Sequence, residues 1–147
     1  MSEVLETGVI LSFDEFRILL YGMGIRSIEG VYMEDKSCTD EEVVRALYHM
    51  SEQGIISAAE DEGFLLRDDI QEILWTVGYP EQTWIYRPNE KWTGIKTGPE
   101  FYCYRAEDKV VVSERYWKKK EAVKLQLFSE ETYEIWKEQM DDDYRGD

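Results

Sequence analysis

Near residue 82 the apolar residues along this chain change their spacing from a mainly helical period to a strand period. Before that point the clearest stretch runs from Thr39 to Val77. Thr39 and Glu42 form a capping box in which the Thr hydroxyl takes the Glu42 amide and the Glu carboxylate returns to the Thr39 amide, so a helix is expected from Asp40. Val43, Ala46, Leu47 and Met50 share one face of it, and Gly54 after Gln53 supplies a left-handed stop. Ile55 and Ile56 turn back onto that face. Ser57-Ala58-Ala59, the acidic turn Glu60-Asp61-Glu62 with Gly63 at positive φ, and Phe64-Leu65-Leu66-Arg67 then predict a short hairpin. Asp68 is the expected cap of a following helix that carries Ile70, Ile73, Leu74 and Val77 at i, i+3, i+4 and i+7, closed by Gly78 with Pro80 beyond. Helix, hairpin, helix is the order of a winged-helix module.

On the N-terminal side, residues 1–8 read as loose. Val9-Ile10-Leu11 leads into a second capping box, Ser12 with Glu15, and Leu11 and Phe16 are spaced for a hydrophobic staple. Phe16, Leu19 and Leu20 give this helix its core face, and Gly22 and Gly24 end it. From Ile25 to Ser37 the pattern is irregular, a loop with helical turns anchored by Ile28, Val31, Tyr32 and Met33. Beyond Gln82, aromatic and β-branched residues take over, as on a half-buried sheet. Four strands are expected: Thr83–Arg87, Glu100–Arg105, Lys109–Trp117 and Ala122–Phe128. Phe101, Cys103 and Arg105 face one way and Tyr102 and Tyr104 the other, while Val123, Leu125 and Leu127 alternate with Lys124 and Gln126. The short links Ala106-Glu107-Asp108 and Lys118-Lys119-Lys120 predict an antiparallel meander. Pro88–Pro99 is a longer, mobile loop. Ser129 caps a C-terminal helix with Tyr133, Trp136 and Met140 on one face, and residues 141–147 read as an acidic disordered tail. The fold class is therefore α+β: a winged-helix-like helical lobe over 9–80, an antiparallel sheet of about four strands over 82–128, and a helix over 129–140, all in one domain spanning 1–140.

Length agrees with a single domain, since 147 residues suffice for one that buries about two-thirds of its unfolded surface and are too few for two. Charge narrows the partners. Lys and Arg total 17 against 32 Asp and Glu, a net charge of -15 that repels nucleic acid and anionic lipid over most of the surface. The asymmetry is local as well: residues 1–82 hold 18 acids and 5 bases, 83–128 hold 6 acids and 10 bases, and 129–147 hold 8 acids and 2 bases. An acidic helical lobe thus joins a mildly basic, aromatic sheet. Such a sheet can stack single-stranded nucleic acid, but cross-strand aromatics are more often packing devices, and the net field opposes the first reading. The helix from Asp40 carries Asp40, Glu41, Glu42 and Glu52 against Arg45, with Glu60, Asp61 and Glu62 at the hairpin tip, where phosphate contacts would need cations. A winged helix of this kind binds protein.

Candidate chemistry is sparse. His49, the single histidine, falls beside Glu42, Arg45 and Glu52, off the apolar stripe, and reads as solvated, without the orienting partner and nucleophile that a general base needs. Cys38 has two readings, a thiol activated near a helix N-terminus or a small apolar staple residue against Val43. Cys38 and Cys103 form no Cys-x-x-Cys and no disulfide framework, which makes a reducing cytoplasm the default compartment. Gly22-Met23-Gly24 lacks the strand and glycines of a phosphate loop, and the clustered carboxylates do not match a calcium loop. Asp141 to Asp143 read as solvated rather than cation-binding. The N-terminus is acidic and lacks a long apolar run, so neither a signal peptide nor a membrane insertion is expected. No enzyme, cofactor or metal assignment follows.

Leu11-Ser12-Phe13-Asp14-Glu15-Phe16, Ala46-Leu47 with Gly54-Ile55-Ile56, Gly63-Phe64-Leu65, and Ile70 to Leu74 before an antiparallel sheet together resemble the EspG family of type VII secretion chaperones, over residues 9 to 140. The match is to one of the two similar halves of those proteins. The resemblance implies a cytosolic, non-enzymatic adaptor that grips the apolar tip of a helical secretion substrate and keeps it soluble. At about half the usual length, such a chain would complete its binding face as a homodimer. No binding motif of the family transfers residue by residue.

The expectation is a cytoplasmic protein-binding adaptor or chaperone, with a winged-helix regulator or its protein-binding derivative as the alternative. Trp92, Tyr102, Tyr104, Tyr116 and Trp117 are the candidate partner contacts, because interfaces favour Trp and Tyr on rigid strands. The competing reading puts these residues in the core.

Overall fold

The structure is a computed structural model that describes residues 2–25, 39–58, 64–88 and 99–143. Four expectations lie outside the described residues: the anchors Ile28 to Met33, the Cys38 staple, the hairpin tip with Gly63, and the loop holding Trp92.

Eight strands, four α-helices and one 3-10 turn at Trp117–Lys119 are described. In chain order they are β1 (Glu3–Val4), β2 (Gly8–Ser12), α1 (Phe13–Gly22), α2 (Asp40–Glu52), β3 (Ile56–Ala58), β4 (Phe64–Leu66) and α3 (Asp68–Gly78). Then follow β5 (Gln82–Tyr86), β6 (Phe101–Ala106), β7 (Lys109–Arg115), β8 (Ala122–Ser129) and α4 (Glu130–Asp143). Six of the strands form one antiparallel sheet in the order β1-β2-β8-β7-β6-β5, and β3 and β4 form a separate hairpin.

The expected meander is present as β6, β7 and β8, with β5 added at its edge. The sheet has six strands rather than about four because residues near the N-terminus join it. β2 pairs with β8, setting Val9 opposite Leu125 and Leu11 opposite Val123, and β1 pairs with β2. Residues 1–8 were expected to be loose, but from Ser2 onward they are held in place. Gly8 is required there: a Cβ would come within 2.0 Å of the Leu125 carbonyl oxygen, so only glycine lets the two strands approach.

Alternation along the strands feeds two cores, one on each face of the sheet. Val9, Leu11, Tyr104, Val111, Val123 and Leu125 pack beneath α1, α2 and α3 with Phe16, Leu20, Met50, Ile70, Ile73, Leu74 and Val77. On the opposite face, Tyr86, Phe101, Cys103, Val110, Val112 and Phe128 pack against Tyr133, with Trp136 and Met140 of α4 at the margin. The molecule is thus three layers deep, with helices covering both faces of the sheet.

Local signals set most helix ends. Ser12 caps α1 with the full reciprocal box, its hydroxyl accepting from Glu15 N at 3.1 Å and its own N–H donating to Glu15 Oε1 at 2.9 Å. Thr39 caps α2 by accepting from Glu42 N at 3.2 Å, but the Glu42 carboxylate accepts from the Thr39 hydroxyl instead of returning to the amide. Gly54 follows that helix at φ +76°, the left-handed stop its position requires. At α3 the expected cap is displaced by one residue: Arg67 is the N-cap without a side-chain bond, and Asp68 is the first helical residue. Its neighbour Asp69 instead accepts from the Ile70 N–H at 2.9 Å. Ser129 caps α4 by accepting from Thr132 N at 3.2 Å. Helix α4 then runs through Asp143, so residues 141–143 are helical and the helix passes its expected end at 140. The Tyr86 hydroxyl reaches across to them, donating to the Lys137 carbonyl at 3.1 Å and to the Asp141 carboxylate.

Candidate functional site

The four described residues among the five aromatics singled out from the sequence do not form one surface. Tyr104 is only 1% exposed and lies in the core under the helical lobe. Tyr102 is half-buried on the same face, its ring covered by the Arg115 guanidinium at 4.4 Å and its hydroxyl accepting from Arg115 at 2.8 Å. Tyr116 and Trp117 occupy the turn between β7 and β8. Tyr116 adopts a left-handed φ of 56° and is 61% exposed, touching Phe13 edge-on at 5.1 Å. Trp117 is half-buried and carries the Lys124 ammonium 4.2 Å from its ring centroid. Trp92 lies outside the described residues.

The α4 core explains why aromatic density is high in the sheet. Trp136 meets Phe101 edge-on at 4.9 Å and lies within 6 Å of Tyr86, Phe128 and Tyr133. Trp84 donates its indole N–H to the Tyr133 hydroxyl at 3.0 Å, which satisfies both polar atoms at the rim of the core. Beside them, the Cys103 thiol is pushed up to about 12 by burial, with the Tyr133 hydroxyl bond and the Lys137 charge acting in the opposite direction. Burial likewise raises the Tyr133 and Tyr86 hydroxyls. Such groups stay protonated at neutral pH. They serve as packing and hydrogen-bonding elements, since a reactive thiol needs the opposite shift.

His49 is not simply solvated. Its Nε2 lies 3.1 Å from the Ser2 backbone nitrogen and 3.3 Å from the Ser2 carbonyl oxygen, so the ring ties α2 to the N-terminal segment with either tautomer. On the α4-facing side of the sheet, burial raises the Glu114 carboxyl, and Lys124, directly opposite it in the register, pulls it back. Among the described residues, no group of three or more His, Cys, Asp or Glu side chains is placed to hold a metal ion.

Large apolar side chains are exposed mainly where the sequence reading had not placed a site. Val44 and Tyr48 lie one turn apart on α2 at 65% and 67% exposure, and Phe64 and Leu65 of β4 are 55% and 60% exposed. Trp75 and Tyr79, also one turn apart, are 43% and 58% exposed at the end of α3. A signal for the two helical pairs was present in the periodicity. Each is an i, i+4 apolar pair lying off the stripe that faces the core.

No known protein-family model matches the chain, and no curated protein matches it. No described helix is long and apolar enough to cross a membrane.

Proposed function

We propose that this protein is a non-enzymatic adaptor that binds another polypeptide through its acidic helical lobe. The observation that carries the reading is α2, whose one fully buried residue is Met50 while Val44 and Tyr48 stand in solvent. A helix that leaves two large apolar residues on one exposed ridge keeps surface available for a partner. The exposed Phe64 and Leu65 of the adjoining hairpin add to it. Within this reading, the pattern shared with EspG-like chaperones suggests a helical secretion substrate of a bacterial type VII system and a cytoplasmic adaptor, with homodimerisation completing the binding face.

The second reading is a winged-helix regulator or its protein-binding derivative, favoured by the order α2, β3–β4 hairpin, α3. Charge separates its two forms. Asp40, Glu41, Glu42 and Glu52 are all exposed on α2, and Arg45 is already paired with Glu41 at 3.3 Å, so duplex phosphates find little to hold.

Co-purification from the native lysate with the wild-type chain and with Val44→Asp/Tyr48→Ala tests the proposal. A stoichiometric polypeptide present with the first and absent with the second supports it. Retention of that polypeptide by the variant moves the contact elsewhere, and saturable duplex binding at about 50 mM salt would favour the regulator.

A further inference from the structure

An open groove of about 640 Å³ runs between the outer side of α3 and the β6–β7 turn. One wall is the Trp75–Tyr79 pair, whose rings lie 5.0 Å apart at an interplanar angle of 31°. The pair points away from Ile70, Ile73, Leu74 and Val77, so the core does not require it. Among the described residues, the groove lining carries four carboxylates, from Asp68, Glu72, Glu81 and Glu107, and one ammonium, from Lys109, which is engaged with Glu72. The groove therefore keeps a clear negative surplus.

The acidic wall is also built in place. Glu107 sits at the β6–β7 turn with a left-handed φ of 57°, and its N–H donates to the Glu81 carboxylate at 2.6 Å. This bond fixes the turn and the Glu81 side chain together, while the Glu107 carboxylate stays exposed. The Thr76 hydroxyl is occupied by the Glu72 carbonyl at 2.9 Å and offers no competing donor to the groove.

We infer that this groove binds a cationic peptide segment, with an arginine or lysine side chain laid on the Trp75–Tyr79 rings and neighbouring cations met by the carboxylates. Ring faces and carboxylates both attract positive charge, and a guanidinium satisfies both by stacking flat while donating in its plane. The same field rejects phosphate-bearing polymers. The groove is several times larger than one side chain, which suits a length of polypeptide better than a free small cation. This inference rests on the polypeptide-binding reading above and names a second face of the molecule for it.

The test is calorimetric titration of the full chain with a synthetic arginine–glycine nonapeptide and with its citrulline counterpart, which has the same shape without charge. The arginine peptide is expected to bind, the citrulline peptide about tenfold or more weakly, and Trp75→Ala to lose a similar factor. Lys109→Met, which frees Glu72, should tighten binding severalfold, a change opposite in sign to any loss of folding. Equal binding of the two peptides, or unchanged affinity in Trp75→Ala with a native melting curve, overturns the inference. Sedimentation showing a dimer that Trp75→Ala dissociates would also overturn it, by assigning the groove to a second copy of the chain. None of these failures affects co-purification through Val44 and Tyr48, so the two readings fall separately.

Discussion

His49 Nε2 on α2 meets the Ser2 backbone, 3.1 Å from its nitrogen and 3.3 Å from its carbonyl oxygen, although 47 positions separate the two residues in sequence. Strand β1 is two residues long and pairs with β2, so this side-chain tie adds to the few bonds that order the N-terminus, among them Leu5 N–H to the Gly8 carbonyl. Replacing His49 by Ala leaves the Ser2 backbone without this partner, at a cost of about 1 kcal/mol. The effect should be local. Amide exchange at Glu3, Val4 and Ile10 is expected to accelerate while the β6–β7 amides stay protected, and equal acceleration across the sheet would contradict the assignment.

Trp136 docks α4 on the sheet through ring contacts with Tyr86, Phe101 and Phe128 and stacks on Tyr133 within the helix, at centroid distances between 4.9 and 5.9 Å. Its truncation to Ala removes four ring contacts at once and should cost about 2–4 kcal/mol. Since the other core lies on the opposite face of the sheet, the loss should show first as release of α4. Near-ultraviolet circular dichroism should collapse at lower denaturant than the far-ultraviolet signal from the sheet. A single coincident transition would mean that the two cores unfold as one.

How much of this was legible beforehand follows from how local each signal is. The Ser12–Glu15 box, the Ser129 cap and the alternation through Val123, Leu125 and Leu127 are written within a few residues, and each is found in the structure. Strand β1 and the role of His49 depend on partners far along the chain, which periodicity does not encode. The run Phe101-Tyr102-Cys103-Tyr104 reads as a half-exposed strand on alternation alone. It is in fact apolar on both faces because α4 covers one side and the helical lobe the other, and that coverage removes Tyr104 from the surface. Trp75 and Tyr79 were visible as an i, i+4 pair, but only the fold brings the Glu107 turn opposite them.

Alkaline pH should act on the α4 core in a defined direction. In the unfolded chain the Cys103 thiol ionises near its ordinary value of 9.0, whereas in the folded protein burial holds it up to about 12. Between those values the unfolded state has lost a proton that the folded state keeps. Stability therefore falls as pH rises, by about 1.4 kcal/mol per pH unit for a fully responding group. Tyr86 and Tyr133, both raised by burial, add a loss of the same sign at higher pH. Urea titrations at pH 8, 9.5 and 11 should give decreasing midpoints, and Cys103→Ala should flatten the first part of that decline. A midpoint constant over this range would refute the assignment.

Tyr104 and Tyr116 had equal standing as contact residues in the sequence, and the structure separates them sharply. At 1% exposure Tyr104 fills the space between the sheet and the helical lobe, and Ala there should cost about 3–5 kcal/mol and take partner capture down with the fold. Tyr116 is 61% exposed at the β7–β8 turn, with one edge contact to Phe13 to lose, so Ala should cost only about 0.5–1 kcal/mol. Partner capture by Tyr116→Ala should match wild type if α2 and its neighbouring hairpin supply the contact. If capture falls while the melting temperature holds, the β7–β8 corner belongs to the interface, and Trp117 beside it, already covered by Lys124, becomes the next residue to replace.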